Sequence, residues 1–172
     1  MDDRTVIRRI AMSARGFTLL ETLVAVSILS LALAGILSLS AIGIHSSSNS
    51  ANQIKAFFLA SEAVEYVRNK RDNNILAGSG WLSGLSGCEA GCSIDAFNDT
   101  ISVCAGVCPK IKFNSATNLY GYTSGTDSIF TRKLTITQSV AYEIKLSSEI
   151  SWQQGGISRN FVLEERLFDL SF

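Results

Sequence analysis

The chain has 172 residues, 15 basic and 15 acidic side chains, and therefore a formal net charge of zero. Its hydrophobic fraction is 47% and its mean hydropathy is +0.24, which is high for a soluble domain and indicates a membrane segment. Beyond residue 16 the net charge is −2, and no basic patch remains, which disfavours binding to nucleic acid. The only histidine is His45, so the sequence offers no pattern for a His-dependent catalytic site, and we expect a protein that is not an enzyme.

A short basic segment opens the chain and an uncharged run follows it. Residues 1–16 contain four arginines and two aspartates. The run Thr22–Ile44 has 23 residues, which as a helix would extend ~34 Å, against ~30 Å of membrane hydrocarbon. It is too long for the apolar region of a secretory signal peptide, which has about 7–15 residues. We therefore predict a single membrane-spanning helix, and the arginines place its N-terminus in the cytoplasm.

One carboxylate, Glu21, lies at the start of this apolar region. A charged side chain inside a membrane span costs roughly 2.5–3.5 kcal/mol on insertion scales. Glu21 could lie at the membrane interface with its carboxylate in the headgroups. It could instead have a specific charged partner, as intramembrane acids commonly do. Its position alone leaves both interpretations open.

The segment RGFTLLE at residues 15–21 resembles the prepilin cleavage and methylation motif of type IV pilins and pseudopilins. In that family a basic residue, Gly, Phe, Thr, two aliphatic residues and Glu precede an aliphatic run. The likeness is close over roughly the first 30 residues, and the leader and apolar run are most similar to those of the minor pilin and pseudopilin branch. One departure is that the chain's only proline is Pro109, whereas many members have a proline in the second half of the apolar run.

The resemblance implies a processing pathway and a set of partners. Prepilin peptidase would remove residues 1–16 by cutting between Gly16 and Phe17, and would methylate the new amine of Phe17. Residues 17–44 would form a helix that lies in lipid first and in the core of a filament later. Glu21 would pair there with the Phe17 amine of a neighbouring subunit, since a buried carboxylate and a buried ammonium are each costly alone. The implied partners are the peptidase, other pilin subunits, membrane lipid and an inner-membrane assembly platform. The implied location is the inner membrane, followed by an extracellular or periplasmic filament.

The next part of the chain predicts a second, amphipathic helix over residues 45–75. The polar stretch at 45–50 suggests a break where the chain leaves the membrane. After it, apolar residues recur near one stripe that we expect to face a sheet, namely Ile54, Phe57, Phe58, Val64 and Val67. We interpret His45 as a polar residue at the membrane interface rather than a metal ligand or pH sensor. Asn73, Asn74 and the glycines from Gly78 onward should end the helix.

The C-terminal part predicts antiparallel strands within a globular head, residues 76–172. Tyr142, Ile144, Leu146, Ile150 and Trp152 alternate with polar residues, and Phe130, Leu134 and Ile136 suggest a preceding strand. Residues 153–156 (QQGG) predict a hairpin turn. A returning strand over residues 157–170, with Phe161 and Leu163 on one side, has a change of phase at 164–166 that suggests a bulge. The predicted fold class is α+β, with the long helix packed on an antiparallel sheet.

Four cysteines lie in the head at two similar spacings: Cys88, Cys92, Cys104 and Cys108. A structural zinc site would use four thiolates, and an exported domain would instead form two disulfides. The three-residue spacers and the predicted location favour disulfides, with the pairing undetermined, a link such as Cys92–Cys104 being one option. Asp95, Asn98 and Asp99 could suit calcium, but we interpret them as solvated loop residues. We therefore expect no cofactor.

The leading functional hypothesis is a structural subunit of a type IV pilus or pilus-like filament. The alternatives are a pseudopilin of a type II secretion system, an adhesin or DNA-uptake subunit at a filament tip, and a simple membrane anchor that carries a small domain. The near-neutral head counts against DNA binding. The sequence does not separate a pilus subunit from a pseudopilin.

Overall fold

The computed structural model describes residues 16–104 and 106–170. The described chain consists of one helix, α1 (Leu19–Leu76), followed by a seven-stranded antiparallel sheet, which confirms the predicted α+β fold. It divides into two compact units with the boundary after Ser46. Each unit is described separately below.

The first unit contains the apolar part of α1. Its large side chains between Leu19 and Ile44 are all exposed, and the helix is long and apolar enough to cross a membrane. Hydroxyl groups on this helix donate to carbonyl oxygens of the preceding turn. Ser27 Oγ bonds Leu23 O at 2.8 Å, and Ser30 Oγ bonds Val26 O at 2.8 Å. These bonds remove the need for water at those side chains and so suit an apolar surrounding.

The predicted helix break at residues 45–50 is wrong, because α1 is helical without interruption from Leu19 to Leu76. Serine and asparagine favour caps and turns by bonding to nearby backbone groups, and composition alone therefore suggested a break. The end of the helix falls close to its predicted place. Gly78 follows with φ 68°, and its N–H donates to Ile75 O at 3.0 Å.

In the second unit, α1 packs on the sheet through small side chains. Ala56, Ala60 and Ala63 are fully buried, and they lie in the row with Leu59, Val64 and Val67. The predicted stripe is therefore wrong at its beginning, since Ile54, Phe57 and Phe58 are 58%, 45% and 65% exposed, whereas Val64 and Val67 are buried as expected. Alanine lets the helix approach the sheet closely. The prediction was based on hydrophobicity, which favours phenylalanine over alanine for a buried face.

The sheet is antiparallel throughout. Its strands are β1 (Cys92–Asp95), β2 (Thr100–Val103), β3 (Lys110–Asn114), β4 (Leu119–Gly121), β5 (Thr126–Val140), β6 (Glu143–Gln154) and β7 (Ile157–Phe168). The long strand β5 is central: β6 lies along one side of it, while β1 and β3 share the other side. β2 pairs with β1, β4 with β3, and β7 with β6.

The predicted C-terminal meander is confirmed, with two corrections. Buried and exposed side chains alternate along β5 and β6 as expected, although Tyr142 is exposed in the turn between them. Gly155 and Gly156, at φ 58° and 78°, form the two-residue turn to β7. The bulge predicted at 164–166 is wrong, because β6 and β7 stay in one register from end to end. Glu165 accounts for the apparent change of phase: it faces the same way as Leu163 and Leu167 and accepts a hydrogen bond from Arg68 Nη2 at 2.5 Å.

Two apolar clusters fill the space between helix and sheet. The larger one contains Val64, Val67 and Trp81 together with some of the buried side chains of β1, β5 and β6, namely Cys92, Ile94, Leu134, Ile136, Ile144 and Leu146. The other contains Ala56, Leu59, Phe130 and Trp152, with the rings of Phe130 and Trp152 5.8 Å apart. Each cluster holds one of the chain's two tryptophans. The fluorescence of these residues can therefore report on the unfolding of both clusters.

Candidate processing and assembly site

The motif residues surround the beginning of α1. Gly16, Phe17 and Thr18 precede the helix, and Thr18 is its N-cap. The backbone N–H of Glu21 donates to Thr18 Oγ1 at 3.2 Å, and the N–H of Thr22 donates to Thr18 O at 3.1 Å. Thr18 and Glu21 therefore have the spacing of a capping box, and the bond from Glu21 N–H to Thr18 Oγ1 is the half of that motif seen here. The helix begins where it does because Thr18 satisfies one of its free N–H groups.

The peptide bond between Gly16 and Phe17 is open to approach. Phe17 is 80% exposed, and a Cβ added at Gly16 would meet nothing within 4 Å. The bond therefore lies in non-helical, exposed backbone two residues before the helix begins. The basic leader predicted over residues 1–16 falls, except for Gly16, outside the described residues.

Glu21 lies exposed in the first turn of α1. A carboxylate at this position interacts favourably with the partial positive charge of the helix N-terminus, typically by 0.3–1 kcal/mol. The sequence interpretation did not consider this position of Glu21 at the start of the helix. The signal was present as a Thr three residues before a Glu, ahead of an apolar run.

The cysteines form two disulfide bonds, Cys88–Cys92 and Cys104–Cys108. The expectation of disulfides is met, but the example of a Cys92–Cys104 link is wrong. Cys92 begins β1 and Cys104 follows β2, and the N–H of Cys104 donates to Gly91 O at 2.9 Å. The two small rings therefore lie beside each other at one end of the β1–β2 hairpin. Their sulfur atoms are bonded in pairs and are not thiolate ligands for zinc in this form.

Asp95 is a structural residue and not a solvated loop acid, which corrects the sequence interpretation. It is buried at 4% exposure. Its carboxylate accepts bonds from Asn98 N, from Asn98 Nδ2 and from Tyr122 N at 3.2, 2.9 and 3.1 Å. Burial acts to raise the pKa of Asp95, but the hydrogen bonds from Asn98 and Tyr122 outweigh it, and the pKa lies below its usual range. This carboxylate ties the β1–β2 turn to the chain just after β4.

Asp99 differs from Asp95 because it lies at the surface. It accepts a bond from Tyr66 Oη at 2.7 Å and forms an ion pair with Lys70 at 3.3 Å. The hydrogen bond from Tyr66, followed by that from Lys70, lowers the pKa of Asp99. Among the residues that the structure describes, no group of three or more His, Cys, Asp or Glu side chains is arranged to hold a metal ion. His45, the remaining candidate, lies exposed on α1.

Like Asp95, Arg132 is a buried charged residue whose contacts the sequence did not indicate. It lies on the apolar face of β5 with its side chain 2% exposed. Its Nη1 donates to Leu59 O at 2.9 Å and to Glu62 Oε2 at 2.6 Å, and its Nη2 donates to Ile94 O. A strand that alternates apolar and polar residues gives no signal for a buried arginine, because the partners come from other elements.

Comparison with protein families gives one match. Residues 11–37 match the prokaryotic N-terminal methylation motif. This match covers the N-terminal part of the chain alone, and it supports a type IV pilin-like family. With the apolar part of α1, it fits a membrane-anchored, single-pass protein. Comparisons with curated proteins and with solved structures gave no match.

Proposed function

We propose that the chain is a structural subunit of a type IV pilus or pilus-like filament. Prepilin peptidase cuts it between Gly16 and Phe17 and methylates Phe17, and its apolar helix then packs among sister helices. The observation that carries the proposal is the methylation motif at residues 11–37, whose cleavage point falls in exposed backbone just ahead of a helix. The exposed apolar surface of that helix supports it, because such a surface needs lipid or other helices around it.

The assembly role of Glu21 rests on charge. In the filament, the carboxylate of one subunit accepts a hydrogen bond from the methylated Phe17 amine of its neighbour. Each group offsets the cost of burying the other, so the pair selects one register between helices that apolar packing alone would leave free to slide. The topology that follows has the N-terminus in the cytoplasm and the head on the outer side of the inner membrane.

Intact mass spectrometry of the unreduced protein from its native host tests the processing. We expect the mass of residues 17–172 plus one methyl group and minus four hydrogens for the two disulfides. The variant Gly16→Leu should remain uncut, while Gly35→Ala, another glycine with open space around it, should be cut normally. A full-length mass for the wild type, or normal cutting of Gly16→Leu, would overturn the proposal.

Two variants of Glu21 separate its charge from its position in the capping box. Glutamine can also fill the fourth position of a capping box, so Glu21→Gln keeps the helix start but removes the charge. The proposal expects both Glu21→Gln and Glu21→Ala to lose incorporation into filaments while cleavage at Gly16 continues. Incorporation of Glu21→Gln at the wild-type level would show that the carboxylate acts only within its own helix.

A further inference from the structure

Three connections between strands of the head meet around a small cavity at the surface. They are the β1–β2 turn, the β3–β4 turn and the loop from β4 to β5. The cavity has a volume of about 80 Å³. Since a bound water needs about 10–15 Å³ of such space, the cavity has room for about six waters. This is comparable with one six-membered sugar ring and its hydroxyl groups.

The polar part of the lining is arranged to bond to hydroxyl groups of a ligand. Asn98 Nδ2 donates to Thr123 Oγ1 at 3.2 Å, and Asn114 Nδ2 donates to Ser124 Oγ at 3.1 Å. Because each hydroxyl oxygen accepts from an amide, its own proton remains to be donated elsewhere. Thr123 and Ser124 are both exposed, so these protons can reach a ligand. The side-chain carbonyl oxygen of Asn98 adds an acceptor beside them.

Asp95 holds this part of the lining in place and supplies little charge to a ligand. Its carboxylate accepts bonds from Asn98 N, Asn98 Nδ2 and Tyr122 N, so most of its acceptor positions are already used. Among the described residues that line the cavity, none is Lys, Arg or His. A cation would meet a single carboxylate whose oxygens are engaged, and an anion would meet no opposite charge. The lining therefore favours a neutral ligand.

The rest of the lining is apolar and includes Phe97, Leu119 and Tyr120. Phe97 is 77% exposed and Leu119 is 48% exposed, although large apolar side chains gain free energy when they leave water. The ring of Tyr120 has fixed neighbours, with its centroid 5.0 Å from that of Phe113 and 6.4 Å from that of Phe130. The cavity thus combines aromatic rings with a few placed polar groups, as small-molecule sites do.

We propose that this cavity binds one neutral sugar ring of a glycan. The C–H face of the ring packs on Phe97 and Tyr120, and its hydroxyl groups bond to Asn98, Thr123 and Ser124. A sugar suits such a site because its C–H bonds form an apolar face while its hydroxyl groups both donate and accept. The cavity lies wholly within the second unit. Sugar binding therefore needs neither Glu21 nor assembly into a filament.

Saturation-transfer NMR of the full-length chain, in micelles of a detergent without sugar groups, tests the proposal. The probes are the methyl glycosides of glucose, galactose, mannose and N-acetylglucosamine, each added in the presence of EDTA. At least one of them should give a saturable signal with a Kd of about 1–10 mM, as expected for a single ring at an open site. The strongest transfer should reach the ring C–H protons, because these lie against the aromatic side chains.

Two variants with matched controls assign the signal to this cavity. Thr123→Val keeps the shape of the side chain but removes the hydroxyl, and Phe97→Ala removes an exposed ring that the fold does not need. Each should weaken binding by about tenfold, the effect of losing one hydrogen bond or one ring contact. Thr137→Val, at an exposed threonine of β5, and Tyr142→Ala, at an exposed ring in the β5–β6 turn, should bind like the wild type.

Three results would overturn the proposal. The first is the absence of a saturable signal with every probe up to about 50 mM. The second is binding that requires calcium in place of EDTA, because the lining would then hold a cation. The third is binding by Thr123→Val and Phe97→Ala that is as tight as binding by their controls.

Discussion

Replacing Arg132 with methionine should destabilise the head strongly. The guanidinium joins α1 to β1 through bonds to Leu59 O, Glu62 and Ile94 O. Removing one partner from a fully buried ion pair costs about 3–5 kcal/mol. Glu62 is 40% exposed, so water can solvate its carboxylate once the arginine is gone, which lowers the cost. We therefore expect a loss of about 2–4 kcal/mol in the free energy of unfolding.

The assay is urea unfolding of the full-length chain in detergent micelles, followed by tryptophan fluorescence. With an m value of about 2 kcal/mol/M, the expected loss moves the midpoint down by about 1–2 M urea. Arg159→Met is the matched control, because Arg159 is an exposed arginine on β7 and its change should be nearly neutral. Arg132→Lys should fall between the two, since lysine keeps the charge but lacks the planar fork. A midpoint for Arg132→Met within error of the Arg159→Met midpoint would refute the reasoning.

Three further predictions concern the head, each measured by the same unfolding assay. The low pKa of Asp95 means that its charged form stabilises the fold above the ordinary carboxyl pKa of about 4. Asp95→Asn should therefore lower the free energy of unfolding by about 1.5–3 kcal/mol at pH 7. A difference from the wild type that did not shrink as the pH falls below about 4 would contradict this. Gly125→Ala should lower the free energy of unfolding by about 2–4 kcal/mol, because φ is +106° and a Cβ would lie 2.4 Å from a backbone oxygen. Gly155→Ala, at φ +58° with open space around it, should lower it by about 1 kcal/mol. Equal losses in the two variants would show that the close contact at Gly125 does not matter. Replacing Cys104 and Cys108 together with serine should cost about 2 kcal/mol, the loop entropy of a five-residue ring, and unchanged stability would show that the ring constrains nothing.

The parts of the fold that followed from sequence are those where local pattern and packing agree. Along β5 and β6, apolar side chains alternate with polar ones and the alternation matches burial, so these strands and the turn from β6 to β7 were predictable. The motif around Gly16 was equally readable, because its residue types are adjacent in the chain and need no tertiary contact.

The failures share a physical cause, namely side chains whose burial is set by a partner distant in sequence. Glu165 faces the helix because Arg68 is there, 97 residues away in the chain. Ala60 is buried and Phe58 is exposed, because the helix packs closely on the sheet at the side where Ala60 lies. None of these partners can be identified from the local pattern of the chain.

The position of β7 at the border of the sheet has a consequence for solubility. β7 is twelve residues long and lacks proline, and among the described residues it pairs with β6 alone. Every second residue on its other side can therefore offer backbone N–H and C=O groups to the strand of another molecule. Glu164 and Arg166 stand on its outer face, each joined to an opposite charge on β6, at 2.8 Å from Lys145 and 2.7 Å from Glu143. A strand docking there would disturb these ion pairs and lose hydration of the charges. Charged side chains on an edge strand are one of the features that disfavour its pairing with a strand of another molecule.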